Sequence, residues 1–270
     1  MTQVTQDNFG PIISHFTYFP SSSMTASFAP PVIDRSDALG ECLQRQGYAV
    51  VGAAQVAELA GVSLAELGSW QAQWDGLPPD LYLRDGGRYR RRRHSSFVVN
   101  GDAVTQVAHR PHWQPVEYNA LHGGMQRHFE PMLGAMVGHP AWQKLLVWLG
   151  QVSSGLKGAQ PWYAEAHQFR IDTTDGIGRP TPEGAHRDGV DLVAVFMVDR
   201  QGVKGGETRV FEAAGPNGQR FTLSEPWSVL LLDDSRVIHE STPIQPLTQG
   251  GHRDTLVVTL RSGGFQDEGL

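Results

Sequence analysis

Three times in this chain a histidine is followed two residues later by an acid: His128-Phe129-Glu130, His186-Arg187-Asp188 and His252-Arg253-Asp254. Two imidazoles and one carboxylate are the minimal set that holds Fe(II) on one face of an octahedron. The opposite face stays open for a chelating co-substrate and dioxygen. Each triplet therefore needs a further histidine from elsewhere and a backbone that turns both of its own side chains the same way. With eleven histidines in the chain and acids at average usage, about one such triplet is expected by chance. The elements around them have to separate the three.

The first triplet leads into Met132, Leu133, Met136 and Val137, apolar residues at helical spacing. On a helix, residues two apart diverge, so His128 and Glu130 read as a solvated helix face. The third precedes a β-rich run, 255–260. There His252 and Asp254 would share a face, but no histidine follows and His239 would have to serve from upstream. The middle triplet follows a polar, Gly/Pro-rich loop (175–184) and precedes a strand over 190–198 that is apolar except at Asp191. His239 then closes a second apolar strand pair, 227–232 and 237–239. Two ligands at a strand end and one on a distant strand are how a small β-barrel builds a metal site in its mouth. His186, Asp188 and His239 are the candidate ligands.

The elements that would position them fall into two textures. Residues 37–46 read as a helix ended by Gly47, which suits a C-terminal cap, and 48–51 as a strand. Residues 56–74 are Ala/Leu-rich and helical, interrupted by Gly61 and Gly68, and 95–99 read as a strand. Residues 124–150 predict one or two helices broken near His139-Pro140. From residue 164 onward short strands alternate with turns, over 164–171, 190–198, 208–211, 219–223, 227–232, 236–239 and 253–261. Helices followed by this many short strands predict an α+β fold, a double-stranded β-helix (a jelly-roll or cupin-like barrel) with N-terminal helices packed outside it. Residues 1–33 read as an irregular lead-in and 34–270 as one domain, with helical support over 34–160 and the barrel over 161–265.

Composition excludes several classes. At 40% hydrophobic and 19% charged residues, the chain buries a full core and is not a disordered one. A formal charge of -6 and a pI near 6.0 argue against a nucleic-acid partner. The basic run Arg88 to His94 is the local exception; it reads mostly as a solvated loop or strand edge that could lend one arginine to a carboxylate. Cys42 is alone, which rules out an intrachain disulfide. No basic start with an apolar block and no 18-residue apolar stretch is present, so neither signal peptide nor membrane span is expected, and cytoplasm is the default.

His186, Asp188 and His239, with Arg253 fourteen residues further on and Thr255 two beyond it, resemble the iron(II)/2-oxoglutarate-dependent dioxygenases. The interval from His239 to Arg253 is longer than in many members, and the loop 242–251 absorbs the difference; Arg261, at the end of the same predicted strand, is the rival to Arg253. The segments 82–90, 118–127, 167–170 and 205–208 resemble more narrowly the bacterial free L-amino-acid hydroxylases, the group of L-isoleucine 4-hydroxylase. The resemblance covers residues 75–261. It implies Fe(II), 2-oxoglutarate and O2, with ascorbate as a supporting reductant. It also implies a carboxylate grip by Arg253 and Thr255 and release of succinate and CO2. A small zwitterionic substrate, an L-amino acid, would draw on Arg88, Tyr89, Arg90, Asn119, Arg127, Gln168 and Arg170. On the strand 164–171 either His167 or the pair Gln168 and Arg170 faces inward; the pair is favoured. Gly205-Gly206 reads as a turn. Two other functions stay open: the same iron chemistry on a carrier-bound or peptide substrate, and a cupin-like metal-binding barrel without 2-oxoglutarate.

Overall fold

The computed structural model describes residues 28–267. A 3-10 turn, Ser36–Ala38, opens α1 (Leu39–Gln46), which Gly47 ends in the left-handed region at φ 79°. There a Cβ would stand 2.9 Å from Val237, so glycine is needed for space as well as for conformation. Strand β1 (Tyr48–Val51) follows, then α2 (Ala53–Ala60), α3 (Leu64–Gly68) and a 3-10 turn, Gln71–Trp74. Next come β2 (Arg90–Asn100), β3 (Ala103–Gln106), α4 (Gly134–Val137) and α5 (Pro140–Lys157). The rest is β-structure: β4 (Trp162–Asp172), β5 (Leu192–Gln201), β6 (Val203–Gly205), β7 (Thr208–Glu212), β8 (Gly218–Phe221), β9 (Val229–Asp233), β10 (Val237–Ser241), β11 (Ile244–Pro246) and β12 (His252–Arg261).

The strands form a double-stranded β-helix, as the sequence pattern predicts. Its large sheet runs β1-β9-β5-β12-β4-β2-β3, and smaller sheets β10-β7-β8 and β11-β6 complete the barrel. Every named pairing is antiparallel. The large sheet is buried on both faces. On one face Ala164, Ala166, Leu256, Val258 and Leu260 pack with α1, α2, α5 and a tryptophan cluster of Trp70, Trp74, Trp142 and Trp227. On the other, Val193, Met197 and Leu230 meet Val210, Phe221 and Val237 of the small sheet.

Several local expectations need correction. Residues 124–133 are not helical: Arg127 exchanges both backbone hydrogen bonds with His112, and His94 N–H donates to Glu130 O, so the segment lies extended along β2. His128 is exposed, but on an extended segment instead of a helix face. The basic run is no solvated edge. It opens β2, which lies between β4 and β3, and Arg90 and Arg92 are buried. Strand β9 starts at Val229 because Trp227, at φ 65°, breaks the extended backbone. The lead-in 1–33 falls mostly outside the described residues. Among those described, no helix is long and apolar enough to cross a membrane.

Trp74 joins the helical layer to the barrel, its Nε1–H donating to Phe169 O (3.1 Å) and Thr255 O (3.2 Å). Those two residues face the cavity from β4 and β12. Trp74→Ala should cost about 3–5 kcal/mol through the cavity it leaves. Trp74→Phe should cost about 1 kcal/mol by removing the donor. Denaturant unfolding checks both; equal midpoints for Trp74→Phe and the parent would contradict the hydrogen-bond role.

Candidate active site

The loop before β5 and the strand β10 are joined at His186 and His239, whose backbones exchange two hydrogen bonds of 3.0 and 3.1 Å. That bridge sets the two rings 4.7 Å apart between centroids. His186 Nε2 lies 3.8 Å from Asp188 Oδ1, and His239 Nε2 lies 3.8 Å from Asp188 Oδ2. One donor atom from each residue falls within 4.8 Å of the others, a spacing that can hold a metal ion. His186 Nδ1–H donates to Gly184 O (2.9 Å), which leaves the Nε2 lone pair aimed at the cluster. Burial opposes protonation of His186, but the carboxylates of Asp188 and Glu183 outweigh it and raise its pKa.

Asp188 is held from two sides. The buried Asp234 carboxylate accepts the backbone N–H groups of Asp188, Gly189 and Val190 at 2.8–3.1 Å. Burial and the nearby Asp188 charge push Asp234 up to about 6 in spite of those donors. Gln266 Nε2 donates to the carbonyls of Asp188 and Gly189, and a Cβ at Gly189 would lie 2.4 Å from the Tyr118 ring. Gln114 Nε2 donates to Asp188 Oδ1 (3.2 Å), while Gln114 Oε1 accepts from Asn119 and Arg127. Two donors on one end of the amide and a carboxylate on the other fix its orientation.

Two further groups among the described residues have metal-like spacing, and both are already committed. Asp254 is gripped through both oxygens by Arg170 (2.8 and 2.7 Å), which takes the third triplet out of contention. In the His94, His112 and His167 group, His167 Nδ1 accepts from Arg92 (2.7 Å), while His94 Nε2 and His112 Nδ1 both lie on Glu165 Oε1 (3.1 and 3.4 Å). Burial, against the pull of Glu165, pushes His112 down to about 4.

The middle triplet opens into a cavity that Arg253, Thr255, Val257 and Thr259 line from β12 and Glu165, His167, Phe169 and Ile171 line from β4. Arg253 is 3% exposed and has no carboxylate within ion-pair distance among the described residues. Its Nε has no hydrogen-bond partner, and burial followed by the neighbouring Arg200 pushes its pKa down to about 10. It is still a cation at neutral pH. Arg261 lies at the other end of β12 and donates to Gly264 O instead. Gly205 and Gly206, both at positive φ, form the turn between β6 and β7.

Three of the predicted substrate residues line this cavity: Arg90, Asn119 and Arg127. Four do not. Arg88 is exposed and pairs with Asp175, and Tyr89 donates to Asp85 (2.6 Å) while packing with Ile171, Val203 and Ile244. Gln168 and Arg170 point to the helix side, toward Met136 and toward Asp254 and Asp75. The inward residue is His167. Ala164 and Ala166 under the helices set that parity, and a strand buried on both faces carries no polar alternation to announce it. Gln114, Glu165, Glu183 and Asp234 escape sequence reasoning; Glu183 lies three residues before His186, and the other three lie on loops or strands with no motif around them.

With this geometry in place, the comparisons are specific. The family profile described as 2OG-Fe dioxygenase matches residues 71–259. The chain belongs to the 2OG-Fe dioxygenases. Membership implies Fe(II), 2-oxoglutarate and O2. A crystal structure of a BsmA homologue from Methylobium petroleophilum PM1 is 52% identical, with a TM-score of 0.85 over 89% of this chain and 98% of that one. IDO from Bacillus thuringiensis shares the fold at 16% identity and a TM-score of 0.68, over 86% of this chain and all of that one. The Fe(II)/α-ketoglutarate-dependent dioxygenase TqaL does so at 20% and 0.65, over 86% and 90% of the two chains. None of the curated proteins matches this dioxygenase.

His112 supplies a pH test of the cavity wall. Its pKa is about 4 when folded and about 6.5 when unfolded. The unfolded chain therefore takes up the proton first as pH falls. Stability from this group is complete above pH 6.5 and is lost toward pH 4, by about 3 kcal/mol. His112→Asn keeps a donor near Nδ1 and removes the titration. Urea unfolding across that window should show a flatter pH profile for the variant; parallel profiles would contradict it.

Proposed function

We propose that this dioxygenase hydroxylates an unactivated C–H bond of a free L-amino acid or close derivative, as the bacterial amino-acid hydroxylases do. His186, Asp188 and His239 would hold Fe(II), and Arg253 with Thr255 would take the far carboxylate of 2-oxoglutarate. The observation that carries the reading is Arg253, a buried cation with an unpartnered Nε, on the wall of the same cavity as the two histidines and Asp188. A guanidinium without a counter-ion in such a place is costly until a planar carboxylate meets it through two hydrogen bonds. The donor set fits the metal for the same kind of reason: the His186 tautomer is fixed and Asp188 is clamped by Asp234 and Gln114 before any ion arrives.

When bound, iron with 2-oxoglutarate supplies the oxidising power that places one atom of O2 on carbon, with succinate and CO2 as co-products. The protein's part is to bind, orient and exclude water. Phe169, Ile171, Val190, Val195 and Val257 give the cavity an apolar wall beside the triad, which suits an aliphatic side chain and keeps competing water away.

Anaerobic mixing with Fe(II) and 2-oxoglutarate should produce the weak visible charge-transfer band of the chelate. Asp188→Ala should abolish it. Arg253→Met should weaken 2-oxoglutarate binding about 100-fold, the cost of one charge-assisted pair, while Mn(II) affinity is retained. Mass-spectrometric screening of L-amino acids with Fe(II), ascorbate and 2-oxoglutarate should show a gain of one oxygen. No band and no succinate release would refute the reading; an intact band with a silent panel would favour a carrier-bound or peptide substrate.

A further inference from the structure

Once Arg253 is assigned to the co-substrate, two cavity side chains of opposite charge, the buried Arg127 and the half-buried Glu183, each keep an unsatisfied polar atom. Arg127 is 2% exposed, and its Nη2 donates to Gln114 Oε1 (2.8 Å). Its Nε has no partner, and no carboxylate lies within ion-pair distance among the described residues. Glu183 is its complement. Oε1 lies 3.6 Å from His186 Nε2, and Oε2 is shut off from solvent without a hydrogen bond. Burial and Arg90 push Arg127 down to about 10, and Glu183 is among the carboxylates that resist this. Yet the two are not in contact.

The other charges in the walls are spoken for. Arg90 and Arg92 share Asp80, at 2.7 and 3.8 Å, and Glu165 Oε1 is taken by His94 and His112. Apart from Arg253 and Asp188, the cavity lining carries three guanidiniums (Arg90, Arg92, Arg127) against two carboxylates (Glu165, Glu183), and Asp80, behind Arg90 and Arg92, brings the balance to zero. A ligand of zero net charge fits that balance better than a dicarboxylate or a diamine. Glu183 also lies outside the group of donor atoms spaced for a metal, so its carboxylate is not committed to an ion.

We propose that Arg127 and Glu183 form a clamp for the zwitterionic head of an α-amino acid, with the carboxylate on Arg127 and the ammonium on Glu183. Both charges are completed by one ligand, and each bond formed is charge-assisted. Gln114 ties the clamp to the triad, since the same amide accepts from Arg127 and donates to Asp188. The clamp also selects among substrates. A carrier-bound aminoacyl group keeps its ammonium but has lost the carboxylate, and a residue inside a peptide has neither. The clamp deepens the amino-acid hydroxylase reading and rests on it for the oxidation of the bound ligand, not for binding itself.

The test is anaerobic calorimetry on protein loaded with Fe(II) and 2-oxoglutarate, with the charge-transfer band recorded in parallel. The twenty common L-amino acids are titrated. For the tightest, so are its α-amide, its N-acetyl derivative and the carboxylic acid lacking the amino group. The amide and the N-acetyl compound should bind at least about 10-fold more weakly than the free amino acid. Glu183→Gln should weaken the amino acid about 10- to 100-fold and leave the deaminated acid within about 3-fold. Arg127→Met should weaken both. The clamp is overturned if blocked and free amino acids bind alike, if Glu183→Gln weakens amino and deaminated acids equally, or if no amino acid binds. It is also overturned if Glu183→Gln abolishes the band, which would make Glu183 a metal ligand. The expected binding pattern without any band in the parent protein would leave the clamp standing and refute the dioxygenase reading. The ligand comparisons on the parent protein remain decisive if Arg127→Met fails to fold.

Discussion

On β12, Leu256, Val258 and Leu260 sit under the helices while Thr255, Val257 and Thr259 face the cavity, and the flanking strands β4 and β5 are locked to that parity by their register. Strand geometry leaves no intermediate choice: a slip of one residue would turn every inward group outward. The helices make the choice firm. Trp70, Trp74, Trp142 and the aliphatic faces of α1, α2 and α5 bury one side of the sheet, so an arginine or histidine turned into that apolar layer, away from the Asp254 and Asp75 that pair Arg170 at its margin, would lose its solvation with nothing in return. Arg253, His167 and Glu165 face the cavity because the other side is filled.

A cavity built in this way concentrates charge where the dielectric is low, and the structure handles most of it internally. Asp80 serves Arg90 and Arg92, and Arg92 also lies between the rings of Phe129 and Phe169. Glu165 is held ionised by His94 and His112, themselves kept neutral by burial. Asp234 sits among three N–H groups and aims Asp188. Unsatisfied atoms remain on five charged side chains of the cavity, Arg90, Arg92, Arg127, Glu183 and Arg253; Arg90 and Arg92 have the Asp80 carboxylate beside them, whereas Arg127 and Arg253 have no carboxylate within ion-pair distance among the described residues. Buried cations without a counter-ion beside a metal-spaced cluster are what the proposed ligands would complete.

Much of the barrel is legible in the sequence because its strands are short apolar runs between turn residues, and the expected segments from 164 onward all correspond to strands. The regions that mislead share a cause. In 124–133 the helical spacing of Met132, Leu133 and Met136 is real, but pairing of Arg127 with His112 holds the chain extended. In the basic run, charge density suggests solvent, yet alternate arginines of β2 point to a polar cavity and to outward partners such as Asp172 and Glu130. Polarity alone would turn Gln168 and Arg170 inward; Asp254, a polar partner on the outer face of β12, is what holds Arg170 outside.

The type of chemistry on offer can be read along the chain: a histidine, an acid two residues later, a distant histidine and an arginine with a threonine beyond it, on segments whose texture alternates between strand and turn. These are local properties, written in spacing. Which side chains share a space depends on how the strands and loops pack. Glu183 and Arg127 are 56 residues apart, and Gln114 and Asp188 are 74 apart. Asp188 is marked by its triplet and Arg127 by the resemblance, but nothing local marks Gln114 or says that Glu183 shares a cavity with Arg127. Burial and leftover hydrogen-bonding capacity are properties of the packed whole, and they bring these residues together.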